Sequence, residues 1–185
     1  MGKLYNELDD NLINFIGDQK IFFVSTAPDE GRINLSPKGM DTFSVFGKNS
    51  VAFLNLTGSG NETAAHLKIN PRITVMFCSF NKTPLILRLY GKGSVIQPSD
   101  KDWNNWRSRF KDYAGARQIV TIEIESIQTS CGFAVPIAES MAERDTLQKW
   151  ADNKGEDGVK NYWKEKNQTS LDGYPTYILA QLRRG

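Results

Sequence analysis

The strongest constraint on the fold is a run of short apolar segments between residues 20 and 97. "KIFFVSTAP", "RINLSP", "TFSVF", "VAFLNL", "RITVMFCSF" and "LILRLYGKGSVIQ" follow one another in order. The turns "DEG", "GMD" and "GKNS" between the early ones are rich in Gly, Asp and Asn, and Pro28 stops the first run. In "RINLSP", Ile33 and Leu35 alternate with Asn34 and Ser36, the period of a strand with two unlike faces. Parallel strands need a crossover of a dozen or more residues, which these turns cannot supply. The pattern therefore predicts a closed or nearly closed antiparallel barrel, not alternating βαβ units.

The flanks read as helices and one more strand. Leu8, Leu12, Ile13 and Ile16 have helical spacing over residues 6–17. Ser99 and Asp102 resemble a capping box opening "SDKDWNNWRSRFKDY", with Trp103, Trp106 and Phe110 on one packing face. "ARQIVTIEIESIQTS" reads as a strand, and helices are expected near 141–153 and 156–166, before the loop "NQTSLDGYPTY". A chain of 185 residues can bury a sizeable core. We read residues 1–185 as a single mainly β (α+β) domain whose part from about 140 is helical.

Composition narrows the function classes. A net charge of +2 gives no electrostatic case for a nucleic-acid partner. The longest apolar runs are too short to cross a bilayer, and the first residues lack a signal-peptide pattern, so a cytoplasmic location is expected. Two cysteines agree with a reducing compartment, and Cys78 inside "ITVMFCSF" reads as a buried apolar residue. No Cys or His cluster has metal-ligand spacing.

The longest connector of the barrel region is "TGSGNETAAHLKINP", residues 57–71. Gly58-Ser59-Gly60 is neither a dinucleotide fingerprint, since Thr63 stands where a third glycine belongs, nor a Walker loop. Ser59 and Glu62 fit a capping box, so a short helix should start near Gly60 or Asn61 and stop at Asn70, before Pro71. This corner is either a capped structural turn or an anion site made by helix amides and the hydroxyls of Thr57, Ser59 and Thr63. Glu62 opposes an anion if it points inward. Lys38 of "NLSPKG" lies just past a strand, close to Ser36, and Arg88 of "LILRLYG" sits on the opposite face from Leu87 and Leu89. Arg88 either faces solvent or holds an anionic or polar partner. His66 reads as a helix-surface residue or a satisfied partner more readily than as a catalyst.

Taken in order, "FFVSTAP…GRINLSPKGMDTF", "FLNLTGSGNETAAHLKINPRITVMF", "LILRLYGKG", "GARQIVTIEIESIQTSCGFAVP" and "NQTSLDGYP" resemble the pyridoxamine 5′-phosphate oxidase-like family of flavin-binding split barrels, over roughly residues 15–175. The resemblance implies a six-stranded FMN-binding split β-barrel with flanking helices. It also implies a homodimer with FMN in two clefts at the interface. It places the cofactor phosphate near Ser36 and Lys38, then Thr57, Asn61 and Thr63, with Arg88 a further candidate. The stretch "QTSCGFAVP" could bring Ser130 or Cys131 near the ring. With this resemblance the phosphate-facing reading of the corner is favoured.

The sequence departs from the family at two places. Enzymes of that name carry basic residues in the segment matching "SGNET", where this chain has none, and their Trp- and Arg-containing ending is absent from "TYILAQLRRG". Vitamin B6 oxidation is therefore not expected. The expected activity is an FMN-dependent oxidoreductase on an unknown small substrate. The alternative is a non-catalytic flavin-binding or stress-related dimeric protein. F420 calls for more cations, and haem ligation would fall to His66 alone.

Overall fold

The computed structural model describes residues 2–179, and its frame is one antiparallel sheet. In chain order the elements are β1 (Lys3–Tyr5), α1 (Asp10–Asp18), β2 (Phe22–Thr26), β3 (Asn34–Lys38), β4 (Phe43–Gly47) and β5 (Ser50–Leu56). Then come α2 (Glu62–Leu67), β6 (Arg72–Cys78), β7 (Ile86–Ile96), α3 (Trp103–Arg107), β8 (Ala116–Ser130) and α4 (Thr146–Lys166). The strands lie in the order β3-β2-β6-β7-β8-β5-β4, with β1 added on β8, and curl into a split barrel of eight strands. β7 and β8 form its spine, paired from Ile86↔Ser130 to Ile96↔Ile119 with one register shift between Tyr90 and Gly91.

The barrel core contains Phe22, Val24, Phe53, Val75, Phe77, Leu87, Leu89 and Val120. Leu12 and Ile16 of α1 join it, and Asp9 caps that helix by accepting from Leu12 N at 2.9 Å. The helix starts four residues later than the spacing of 6–17 suggested, because Lys3–Tyr5 pair with β8 and residue 9 is the cap. Trp103, Trp106 and Phe110 do pack together, against Ala52, Leu54 and Ile119. Their helix is only Trp103–Arg107, and the expected capping box is not made: Asp102 makes no side-chain cap bond, while Asp100 accepts from Gln97 N at 2.8 Å. The two C-terminal helices meet end to end in α4 at Gly155, whose φ of 67° only glycine adopts freely. Ala151, Val159 and Trp163 of α4 pack with Ile178.

β3 is the strand that positions the site. Its partner register puts Ser36 beside core-facing Val24 and Lys38 beside Phe22, so Asn34, Ser36 and Lys38 face inward. The apolar set points out: Ile33 is 75% and Leu35 64% exposed. Among the described residues no helix is long and apolar enough to cross a membrane. Among them, too, no group of His, Cys, Asp and Glu is placed to hold a metal ion. Cys78 is buried, and that burial pushes its thiol pKa up.

Candidate functional site

The corner after β5 is built from the loop 57–61 and from the segment after α4. Thr57 is its post: backbone N and Oγ1 both donate to Gly115 O, at 2.9 and 2.7 Å, and Trp163 Nε1 donates to Thr57 Oγ1 at 2.8 Å. Asn61 occupies the cap position of α2 but makes no side-chain cap bond; its amide donates to Asn167 O at 3.3 Å. The Ser59–Glu62 capping box is therefore not formed. Glu62 instead accepts from Leu171 N through both oxygens, at 3.1 Å each. With six residues, and Glu62 in its first turn, α2 offers little dipole to an anion.

Two cations supply the positive charge instead. Arg117 enters from the start of β8 and is 2% exposed. Its Nη1 donates to Gly60 O at 2.9 Å, Asn167 Oδ1 at 2.8 Å and, more weakly, Gly58 O at 3.4 Å. Its Nε is buried without a partner. Lys38 is half-buried, and its Nζ donates to Asn55 Oδ1 at 3.0 Å. The amide chain continues from Asn55 to Gln118 and on to Gln97, at 3.2 Å each, and ends on Thr176 O at 3.1 Å. Such a connected buried network holds the lysine in one geometry.

Neither cation has a carboxylate partner among the described residues. Burial first, and then the neighbouring Arg117 charge, lower the Lys38 pKa to about 8. Burial lowers Arg117 to about 10, against a smaller opposing effect of Tyr162. Two unpaired cations at neutral pH, one of them fully enclosed, are costly unless an anion joins them.

They open on a cavity of about 370 Å³, lined also by Asn34, Ser36, Asn55 and residues 58–63. Ser36 Oγ and Asn61 Oδ1 are buried there without partners. A second cavity, of about 840 Å³, shares Pro37, Lys38, Gly58 and Ser59 with the first. Its far wall is Trp150 and Tyr162 of α4, whose rings meet edge to face at 5.1 Å. Met40 lies on its rim with a φ of 62°, unusual for a residue with a side chain, and Tyr113 Oη donates to its carbonyl.

The structure thus brings Ser36, Lys38, Asn61 and Thr63 to one cavity. Thr57 lines only the larger one, and its hydroxyl is already engaged on both sides. Arg88 is not part of the group: it lies on the outer face of β7, where Nη1 donates to Ser130 Oγ at 3.1 Å. Neither Ser130 nor the exposed Cys131 lines either cavity. His66 is not on the helix surface but 1% exposed; Nδ1 meets Thr26 Oγ1 at 3.2 Å, and Nε2 has no hydrogen-bond partner, with Glu62 3.8 Å away. The last residues of "TYILAQLRRG" lie outside the described residues.

Sequence reasoning missed Arg117, Asn167 and the amides Asn55, Gln97 and Gln118. Arg117-Gln118 was a visible signal, a polar pair opening a strand that is otherwise apolar on its inward positions. Asn167 carried none, since its role depends on contacts fifty residues away or more.

The family model for pyridoxamine 5′-phosphate oxidase matches residues 8–131. A pyridoxamine 5′-phosphate oxidase family protein of Aspergillus flavus, ustO, is 41% identical over 201 residues, covering 98% of this chain and 80% of its own. Among solved structures, a candidate pyridoxamine 5′-phosphate oxidase from Lactobacillus delbrueckii aligns with a TM-score of 0.53 at 16% identity, over 66% of this chain and 94% of that one. HupZ from Group A Streptococcus aligns with a TM-score of 0.51 at 16% identity, over 65% and 91%. The structural likenesses match the split-barrel fold, and with the sequence matches they show that the chain belongs to the pyridoxamine 5′-phosphate oxidase family.

Proposed function

We propose that this protein is an FMN-dependent oxidoreductase acting on a small substrate, and that the flavin phosphate sits between Lys38 and Arg117. The observation that carries the reading is a pair of cations without a carboxylate, Arg117 enclosed and Lys38 half-buried, on a cavity where Ser36 Oγ has no partner. A phosphate monoester dianion matches both the charge and the donors. Ser36, Lys38, Asn61, Thr63 and Arg117 would hold that end. The larger cavity, sharing Lys38 and Ser59, would receive the ring and the substrate. When bound, FMN supplies the redox chemistry by taking up and releasing hydride or electrons. The chain's part is to bind, orient and exclude water from one side through the wall of Trp150 and Tyr162.

Lys38→Ala is expected to weaken FMN by about 1–3 kcal/mol, the range of a charge-assisted hydrogen bond, and to leave riboflavin nearly unaffected. Equal affinities of wild type and variant for FMN would remove the assignment. Since Lys38 titrates near pH 8 in the free protein, FMN binding should be strongest below that value and fall as pH rises through it. The folding slope has the opposite sign. The folded amine loses its proton near 8 and the unfolded one near 10.5, so raising pH between them stabilises the free protein. Flavin titrations and melting curves from pH 6 to pH 10 read both. Retained flavin that no nicotinamide donor reduces would favour a non-catalytic flavin-binding protein.

We further propose a homodimer in the cytoplasm, with the outer face of β3 in the interface. Leu35 and Ile33 are exposed there, back to back with the cavity-facing Asn34 and Ser36. An edge strand with an apolar outer face calls for a cover. Leu35→Glu is expected to turn a sedimenting dimer into a monomer; a monomeric wild type would exclude the homodimer.

A further inference from the structure

We infer that Asn167 is the positioning residue that makes this site select a phosphate-bearing ligand, resting on the assignment of the flavin phosphate to Lys38 and Arg117. Asn167 is fully buried and lies beyond residues 8–131, the part matched by the family model. It is the hub of the corner. Its Oδ1 accepts from Arg117, and its Nδ2 donates to Gly58 O at 3.0 Å and to Ser59 O at 3.4 Å. Its backbone carbonyl accepts from Asn61 Nδ2 and, at 2.6 Å, from Thr176 Oγ1.

The side-chain type matters. A buried arginine is ordinarily matched by a carboxylate, which would cancel its charge. Here a neutral amide satisfies part of the guanidinium without cancelling it. Arg117 is held still by Asn167 and Gly60 while its full charge is left for a ligand. The same amide ties down the loop carbonyls of Gly58 and Ser59, which would otherwise be free to turn toward the cavity and repel an anion. Asn167 therefore does not touch the ligand; it sets the charge that the ligand meets. Phosphate-bearing flavin is selected over phosphate-free flavin, and the selection comes from a residue after α4.

Asn167→Asp tests this. The variant keeps the outline of the side chain, gives Arg117 a carboxylate and removes the donor to Gly58 O and Ser59 O, so both parts of the role are struck at once. Dissociation constants for FMN and riboflavin, read by flavin fluorescence, and the melting temperature without ligand are measured together. FMN should weaken about 10- to 100-fold, while riboflavin should hold within a factor of about three. Thr176→Val removes the bond to Asn167 O and the weaker one accepted from Ile178 N at 3.4 Å, and touches neither Arg117 nor the loop carbonyls, so it should lower the melting temperature and leave the FMN-to-riboflavin ratio unchanged. If Asn167→Asp keeps the wild-type ratio, or if Thr176→Val shifts the ratio as strongly, the positioning role is overturned. Wild type that binds both flavins equally would instead refute the phosphate assignment itself.

Discussion

Replacing Arg117 by Met is expected to cost about 3 kcal/mol of FMN binding, more than a hundredfold, while riboflavin binding changes little. The effect exceeds that of Lys38→Ala for physical reasons. Arg117 is enclosed and keeps its charge to about pH 10, whereas Lys38 is half-buried and titrates near 8. An interaction with a desolvated guanidinium that stays charged throughout the neutral range is screened least. Stability should move less than affinity. Gly60 O and Asn167 Oδ1 lose a donor, but a buried charge without a counter-ion also disappears, and the two effects oppose each other. The measurements are flavin titration and thermal melting of the ligand-free variant. An FMN affinity within threefold of wild type would show that the buried charge serves the fold alone.

Arg117 also brings to the corner the positive charge that "SGNET" itself lacks. The charge comes from β8, the next strand over from β5, and arrives at the same loop from the side. Reading along the chain shows which residues a segment lacks. It does not show what a neighbouring strand supplies, because strand order is fixed by pairing, not by succession.

The barrel itself was legible because its cause is local. Short polar turns exclude crossovers, and the alternation in β3 and the apolar runs of β6, β7 and β8 set their positions as strands. What alternation could not tell was which face of β3 turns inward. Ile33 and Leu35 look like the core face, yet the register with β2 puts Ser36 beside Val24 and leaves the apolar pair outside. A one-residue choice of register decides it, since a slip by one turns every side chain of the strand to the other face. The same limit applied to Ser59 and Glu62. Their spacing fits a capping box, but the loop at Leu171 competes for the carboxylate and wins. That Ser36, Lys38, Asn61 and Thr63 line one cavity was expected from the resemblance; Asn167 and the amide chain were not expected there, because only tertiary packing joins them.

Gly91→Ala is expected to destabilise the fold by about 3 kcal/mol, the upper range for an overpacked site. At this chain length that lowers the melting temperature by about 6–12 °C. The register of β7 with β8 slips at this residue, from Tyr90↔Ser126 to Gly91↔Ile124. The backbones close in, so that a Cβ on Gly91 would stand 2.0 Å from Glu123 O and 2.9 Å from its carbonyl carbon. Relief requires moving main chain, and both strands are central ones that pair on either side. Gly93 offers the contrast. A Cβ there meets the methyl ends of Leu67 at 3.0 Å, which can rotate away, so Gly93→Ala should cost less. Gly58 has nothing within 4 Å and should accept alanine with little change in melting temperature. Denaturant or thermal melts of the three variants check the order. Gly91→Ala melting with Gly58→Ala would mean that the bulge opens freely. The spine that carries Arg117 to its loop would then be softer than its register implies.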